Sequence, residues 1–299
     1  QRTISIMTMK KIPLIALTLV VSLGYSVTAF AQSSTEGRDF WLATTIITQP
    51  PTASAPATPY IAVSAQNACT VTITDYRGNP LATANVTAGS WTEFGNPDPT
   101  GSSVNIPMSA NWYPTTNATH LDDVYKHADE INNYGLHLTA TANVSVFVII
   151  RTKQYSADAS NILPITAVQS DYYVLDYYPD ANDTKYPITM TTILATEDNT
   201  VIDITPNGDT YGKSNSGSTF SITLNQGQTY YLMSKVNAQL AGTHIVARNN
   251  KKIAVYCGSP LTRLPAGVAA RDGMYEQVMP VDYWGTQFIA TRSLQKNGN

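Results

Sequence analysis

Charge is scarce in this sequence. Asp, Glu, Lys and Arg together make up 13% of the 299 residues, and the formal net charge is −3. No basic run appears, so no global field recruits nucleic acid or an anionic lipid surface, and no nucleic-acid partner is expected. Cysteine is scarcer still, with only Cys69 and Cys257, which excludes a disulfide-dense secreted scaffold. Each lies inside an apolar run, so two separate buried thiols are expected, with one bridge between them as the alternative. Helical periodicity is almost missing. It holds only over His120–Asn132, where Leu121, Val124, Tyr125 and Ala128 fall at helix-like spacing and predict one short helix inside a long loop.

The motifs of catalysis are missing as well. No Gly-x-Ser-x-Gly elbow presents a nucleophile, and no glycine loop cradles a phosphate. Glu197 and Asp198 are adjacent, whereas glycoside hydrolysis needs two carboxylates facing each other across the scissile bond. No catalytic residue and no cofactor is expected. His120-Leu121-Asp122-Asp123-Val124-Tyr125-Lys126-His127-Ala128-Asp129-Glu130 gathers two histidines and four carboxylates, but it lacks the spacing and the glycine of a calcium loop. Its histidines stand about two helical turns apart. A solvated polar loop is expected there, and no metal site.

What is present is strand. Hydrophobic residues make up 43% of the chain, enough for a sizeable core. Ile202 and Ile204 point one way and Asp203 and Thr205 the other, the period-two signature of a half-buried strand. Glu197-Asp198-Asn199 forms a turn ahead of it, and Pro206, which has no ladder donor, ends it.

At the N-terminus, Lys10 and Lys11 precede an apolar stretch, Ile12 to Tyr25, and Ala29-Phe30-Ala31 puts small residues where a signal peptidase reads. Residues 1–31 are read as a secretory signal cleaved before Gln32, with Met9 as the natural start and 1–8 as upstream sequence. No second hydrophobic span follows, so no transmembrane segment is expected after cleavage. The product is then secreted or held at the cell surface.

Repeats organise the remainder. Gly37-Arg38-Asp39-Phe40-Trp41, Gln169-Ser170-Asp171-Tyr172-Tyr173 and Gly285-Thr286-Gln287-Phe288-Ile289 read alike. So do Cys69–Ile73 and Thr200–Ile204, Gly89-Ser90-Trp91 and Gly227-Gln228-Thr229, Gly135–Leu138 and Gly242–Ile245, Val144–Ile149 and Lys252–Cys257, and the runs before Ile165 and Val281. Order is kept throughout. An all-β chain of two tandem antiparallel β-sandwich modules is predicted, 37–168 and 169–284, each with about seven strands. Residues 285–299 supply a final strand, which either completes the second sandwich or opens a truncated third. His137 and His244 hold equivalent repeat positions, which favours an architectural role over a single active site.

The 18 tyrosines and four tryptophans can anchor a protein or stack on sugar rings when exposed. Asn111-Trp112-Tyr113-Pro114 lies in the long loop of the first module. Trp112, Tyr113 and Tyr125 are the candidate ligand-binding residues. Trp41 and Trp284, at module starts, are expected to pack.

The ordered set Gly37–Trp41, Ser156–Ala159, Leu163-Pro164-Ile165, Ala195–Thr200 and Trp284–Phe288 resembles the IgGFc-binding protein N-terminal domain family, over about Gly37 to Arg292. The resemblance implies an extracellular or cell-surface protein without a catalytic motif. It implies an extracellular protein or glycoprotein partner such as mucin or immunoglobulin, and the lysine-started signal gives the chain a bacterial look. The expectation is a non-catalytic binding or adhesion protein recognising a host or matrix glycoprotein. A carbohydrate-binding module and a structural segment of a longer surface protein are the alternatives.

Overall fold

The structure is a computed structural model. It describes residues 34–45, 58–96, 103–106, 112–113, 125–151, 157–179, 187–212, 216–264, 268–269, 272–287 and 289. The expected signal peptide and the first residues of the His120 loop lie outside them. Among the described residues no helix is long and apolar enough to cross a membrane.

The chain is built of strands, as its β-branched composition requires. The first half contributes β1 (Gly37–Leu42), β2 (Thr58–Ala65), β3 (Cys69–Asp75), β4 (Pro80–Val86), β5 (Ser90–Phe94), β6 (Ser103–Val104), β7 (Ile131–Asn132), β8 (Leu136–Arg151) and β9 (Ala157–Ile162). The second contributes β10 (Asp171–Tyr173), β11 (Met190–Ala195), β12 (Thr200–Thr205), β13 (Phe220–Leu224), β14 (Thr229–Met233), β15 (His244–Ala247), β16 (Ile253–Thr262) and β17 (Asp272–Gln277).

In the second half two sheets face each other. One runs β10-β15-β12-β13 and the other β17-β16-β11-β14-β7. Ile202, Ile204, Ile222 and Leu224 from the first sheet meet Ile193, Tyr230, Leu232, Val255 and Cys257 from the second in one buried core. In the first half the 16-residue β8 serves both layers. Its start, Leu136–Ala140, lies between β1 and β3, and its end, Val144–Arg151, between β2 and β9. The two groups are then β1-β8-β3-β4 and β9-β8-β2-β5-β6. A long strand that bends from one layer into the other is a recognised way to close a sandwich corner. The pairing order of the halves matches as far as β5 and β14, with β15 and β16 in the places of the two ends of β8. The edge strands differ, β6 running parallel to β5 and β7, from the first half, antiparallel to β14.

The turn at Glu197-Asp198-Asn199 is present, with Asn199 at φ 53°. It is an arch, because β11 and β12 lie in different sheets. Its polar atoms are used locally. Glu197 Oε1 accepts from the Lys252 amide, Asp198 Oδ1 from the Gln226 amide, and the Glu197 carbonyl from the Thr200 hydroxyl. Ile202 and Ile204 are fully buried while Asp203 and Thr205 face outward.

The His120 loop departs from expectation. Tyr125 begins a turn in which the Ala128 amide donates to the Tyr125 carbonyl, and the part of the expected helix before it lies outside the described residues. From Tyr125 onward the segment is no solvated loop. It crosses onto the second half, where β7 extends the sheet by pairing with β14. The Tyr230 hydroxyl donates to Asp129 Oδ1 at 2.5 Å, the Asp129 amide donates to the Tyr231 carbonyl, and the Tyr125 ring stacks on Tyr211 at 3.6 Å. Tyr125 is buried by this packing, while Ile131 on β7 stays 49% exposed.

Both faces of the β11, β14 and β16 sheet are covered as a result. Its outer face carries Leu194, Tyr231, Tyr256 and Tyr275, all buried. The Tyr256 hydroxyl donates to the Trp41 carbonyl, the Tyr275 hydroxyl to the Ala43 carbonyl, and the Thr192 hydroxyl to the Thr44 carbonyl. The segment leaving β1 therefore lies on the second half's sheet. Its carbonyls are satisfied by side chains, as buried backbone must be. Ser33–Asn299 forms one compact unit.

Candidate binding surface

The two expected histidines sit in matching constellations. His137 is directly opposite Trp41 across β8 and β1, and His244 is opposite Tyr173 across β15 and β10. His137 Nε2 lies 2.9 Å from Asp39 Oδ1, and His244 Nε2 lies 2.7 Å from Asp171 Oδ1. Each imidazole stacks on its aromatic neighbour: Trp41 at 4.5 Å with a 10° interplanar angle, Tyr173 at 4.3 Å with 6°. The carboxylate two residues before the aromatic orients the ring, and the ring supports the aromatic face. Each set is thus a carboxylate, an imidazole and an aromatic ring held in one stack.

The aromatics of the two sets meet different surroundings. Trp41 is 5% exposed and Tyr173 is 36% exposed. Trp41 is covered by the turn that leads into β14. A Cβ at Gly227 would lie 2.8 Å from Trp41 Cζ3 and 2.7 Å from the Tyr76 Cβ. Only glycine fits between them at φ +76°. The Gly135 amide donates to the Gly227 carbonyl at 3.0 Å and fixes the contact. Beside Tyr173 stands Trp284 instead, its ring centroid 5.9 Å away. Trp284 is 43% exposed, so its expected packing role is only half met, whereas Trp41 packs as expected.

The candidate ligand-binding residues are placed differently from one another. Trp112 is 5% exposed and packs in the first half's core, with Tyr113 edge-on to it at 5.3 Å. Tyr113 is half-buried, and burial pushes its hydroxyl above the ordinary tyrosine range. Tyr125 is buried beside Met190, Tyr231 and Met233, and its hydroxyl donates to the Ser234 carbonyl. The three do not form one exposed patch. Among the described residues the open aromatics are Trp91, Tyr178, Trp284, Tyr211 and Tyr173. Sequence reasoning missed them because an alternating strand shows which residues share a face, but not which face another part of the chain covers.

Polar chemistry gathers instead at the seam between β9 and β17. The Tyr275 amide donates to Asp158 Oδ2, the Gln277 amide to the Ser160 hydroxyl, the Ser160 hydroxyl to Glu276 Oε1, and the Leu163 amide to Gln277 Oε1. Side chains of β9 thus satisfy the edge of β17. Burial raises the carboxyl of Asp158 despite the amide bonds it accepts, and the nearby Asp272 charge adds to the rise. Burial likewise raises Glu276, and Asp158 adds to it. Two carboxylates with raised affinity for protons can mark an acid–base pair, but here they are occupied by backbone amides and a serine that hold two strands together.

The thiols are free and buried, as expected. Burial, with help from the charge of Asp176, pushes Cys257 up to about 12, and its thiol donates to the Leu175 carbonyl. A thiol so placed is inert. Burial holds the His127 imidazole below its ordinary range, with Glu130 opposing. Among the described residues no group of three metal-ligating side chains converges.

A seam whose matched partners are Asp158, Ser160, Glu276 and Gln277 lies wholly within one recognisable stretch. Residues 158–299 match the family described as IgGFc binding protein. The IgGFc-binding match takes in β9 from Asp158 and every strand of the second half. It bears out the resemblance read from the sequence over that stretch. The family is one of binding proteins, in keeping with constellations that orient surfaces. No curated protein and no solved structure matches the chain.

Proposed function

We propose that this chain is a secreted or cell-surface, non-catalytic binding protein that recognises an extracellular glycoprotein. The IgGFc-binding match over residues 158–299 carries the reading. It is supported by the roles of the titratable groups, which are spent on holding strands and turns. Export through a signal cleaved before Gln32 and a body of two duplicated modules, 37–168 and 169–284, belong to the same proposal. The matching strand orders and the twin Asp–His–aromatic sets support the duplication.

The contact surface is placed on the segment after β10. Leu175 and Tyr178 are both more than half exposed there, and the Tyr177 ring meets Tyr178 edge-on at 6.3 Å. An amphipathic ring held by a neighbour loses little entropy on binding. Trp112, Tyr113 and Tyr125 then act as supports of the fold near their loops. Immobilised IgG Fc, mucin and desialylated mucin should be presented to the purified chain, with albumin as the control. Binding to Fc or mucin, reduced at least about tenfold by Tyr178→Ala at unchanged Tm, is expected. No binding to any of them, or binding to all equally, overturns the reading. Preference for free glycans over protein would favour a carbohydrate-binding module.

A further inference from the structure

The first half keeps a free copy of the turn that the second half uses to cover Trp41. At Gly227 the amide donates to the Ala195 carbonyl at 2.8 Å, and the Gln228 amide closes on the Asn225 carbonyl at 2.9 Å. At Gly89 the amide donates to the Ala65 carbonyl at 2.8 Å, and the Ser90 amide closes on the Thr87 carbonyl at 3.1 Å. Both glycines have positive φ, +76° and +68°. Each turn leads into the strand that pairs with the one just before the arch, β14 on β11 and β5 on β2. Their backbone bonding is the same, while their side chains and surroundings differ. The place of a Cβ at Gly227 is filled by Trp41 and Tyr76, while at Gly89 nothing lies within 4 Å. Trp91, two residues after the free turn, is 62% exposed, whereas Thr229 at the same place in the used turn is fully buried.

The receiving surface is also present twice and used once. The Asp39–His137–Trp41 face holds the Gly227 turn. The Asp171–His244–Tyr173 face has the same cross-strand pairing, the same carboxylate–imidazole bond and the same stacking, and it is open. We propose that a second copy of this chain docks its Gly89 turn on the Tyr173–His244 face, repeating between molecules the contact made within one. Trp91 of the incoming copy would then meet Tyr173 and Trp284. One donor differs. The Gly242 amide, at the place of Gly135, already donates to the Val174 carbonyl, so the contact between copies lacks the bond that fixes the internal one and is reversible. The turn belongs to the first half and the face to the second, and the proposed contact runs head-to-tail along successive copies. Such contacts do not close on a pair, and they grow into longer assemblies unless a ring forms.

Analytical ultracentrifugation of the purified chain over rising concentration tests this. The expected result is reversible growth past the dimer. Gly89→Asn keeps a residue that tolerates positive φ but puts a side chain into the contact, and Tyr173→Ala removes the face. Each variant alone should weaken association at least about tenfold with Tm unchanged. An equimolar mixture of the two should restore dimers and stop there, because only one intact turn and one intact face remain. If Tyr173→Ala lowers Tm, Trp284→Ala on the same face replaces it. A wild-type chain that stays monomeric, a closed dimer, variants that assemble as the wild type does, or a mixture that fails to pair overturns the proposal. A face already covered by further residues of a longer chain would show as the first of these.

Discussion

The halves of this molecule solve one packing problem in two ways. In the first, a single strand, β8, passes from one layer to the other without a break. In the second, the same path is divided into β15 and β16 by a 3-10 turn at Arg248–Asn250, where Asn249 and Asn250 have φ of 60° and 54°. Asparagine tolerates that region at little cost. The unbroken strand keeps the hydrogen-bond ladder but must bend. The broken one spends the three residues Arg248–Asn250 on a turn, and Lys251 beyond it reaches the carbonyls of Asp198 and Asn199. The same strand order therefore does not require the same local conformation. What both halves share is the layer assignment of each apolar residue, because a wrong face costs the burial of a whole row.

The sharpest difference lies in the two glycine turns, and substitution should separate them most. Gly227→Ala drives a Cβ into Trp41 and Tyr76 and adds backbone strain, and a loss of about 3 kcal/mol in urea unfolding is expected. Gly89→Ala carries the strain without the clash, and about 1 kcal/mol is expected. Equal losses would mean that the Gly227 turn is not wedged between those rings.

The strap from the first half onto β14 gives the next effect. Asp129→Ala leaves the buried Tyr230 hydroxyl without its acceptor, a cost of about 2 kcal/mol. Faster hydrogen exchange at Ile131 and Asn132 should accompany it. An unchanged exchange rate there would show that β7 pairs without help from Asp129.

The seam between β9 and β17 adds a dependence on pH. Asp158 and Glu276 have carboxyls raised mainly by burial, so the folded state binds their protons more tightly than the unfolded chain does. Their stabilising contribution is complete below the ordinary carboxylate range and is lost as pH rises through their raised values. Asp203, held low by the bonds from Arg248 and Ser221, acts oppositely, and its contribution fades as pH falls through its lowered value. The seam's share of the urea midpoint should therefore fall as pH rises from just above the ordinary carboxylate range toward neutrality, while His127, held low by burial, pulls the other way in that window. Glu276→Gln should remove part of the falling share. A Glu276→Gln profile with the wild-type slope would contradict the assignment.

The smallest effect tests the broken strand. Asn249→Gly should change stability by no more than about 0.5 kcal/mol, since both residues accept positive φ. Asn249→Val should cost about 1–2 kcal/mol. A large loss with glycine would point to a role for the asparagine side chain beyond its backbone.

Much of this was legible in residue order. Ile202 and Ile204 against Asp203 and Thr205 announce β12 by alternation alone. The paired positions of His137 and His244 announce a shared architectural use. β11 was harder, because Met190–Ala195 is buried throughout and a strand covered on both faces has no alternation to read. The charges of the His120 loop are dense in sequence, while Tyr125 and Asp129, the residues whose ring and carboxylate tie it to the second half, are few and scattered. Trp112, chosen for lying in a loop, is buried, and Trp284, expected to pack, is partly open.

Local composition thus determined which segments are strands, where they turn and which residues repeat, since those follow from backbone sterics and the period of two. The tertiary structure alone decided which aromatic is covered. Trp41 and Tyr173 each follow an aspartate by two positions and each stack on a histidine, and they differ because a turn from a distant strand lies on one of them. Contacts between remote segments depend on how whole layers meet, and no window of adjacent residues encodes that.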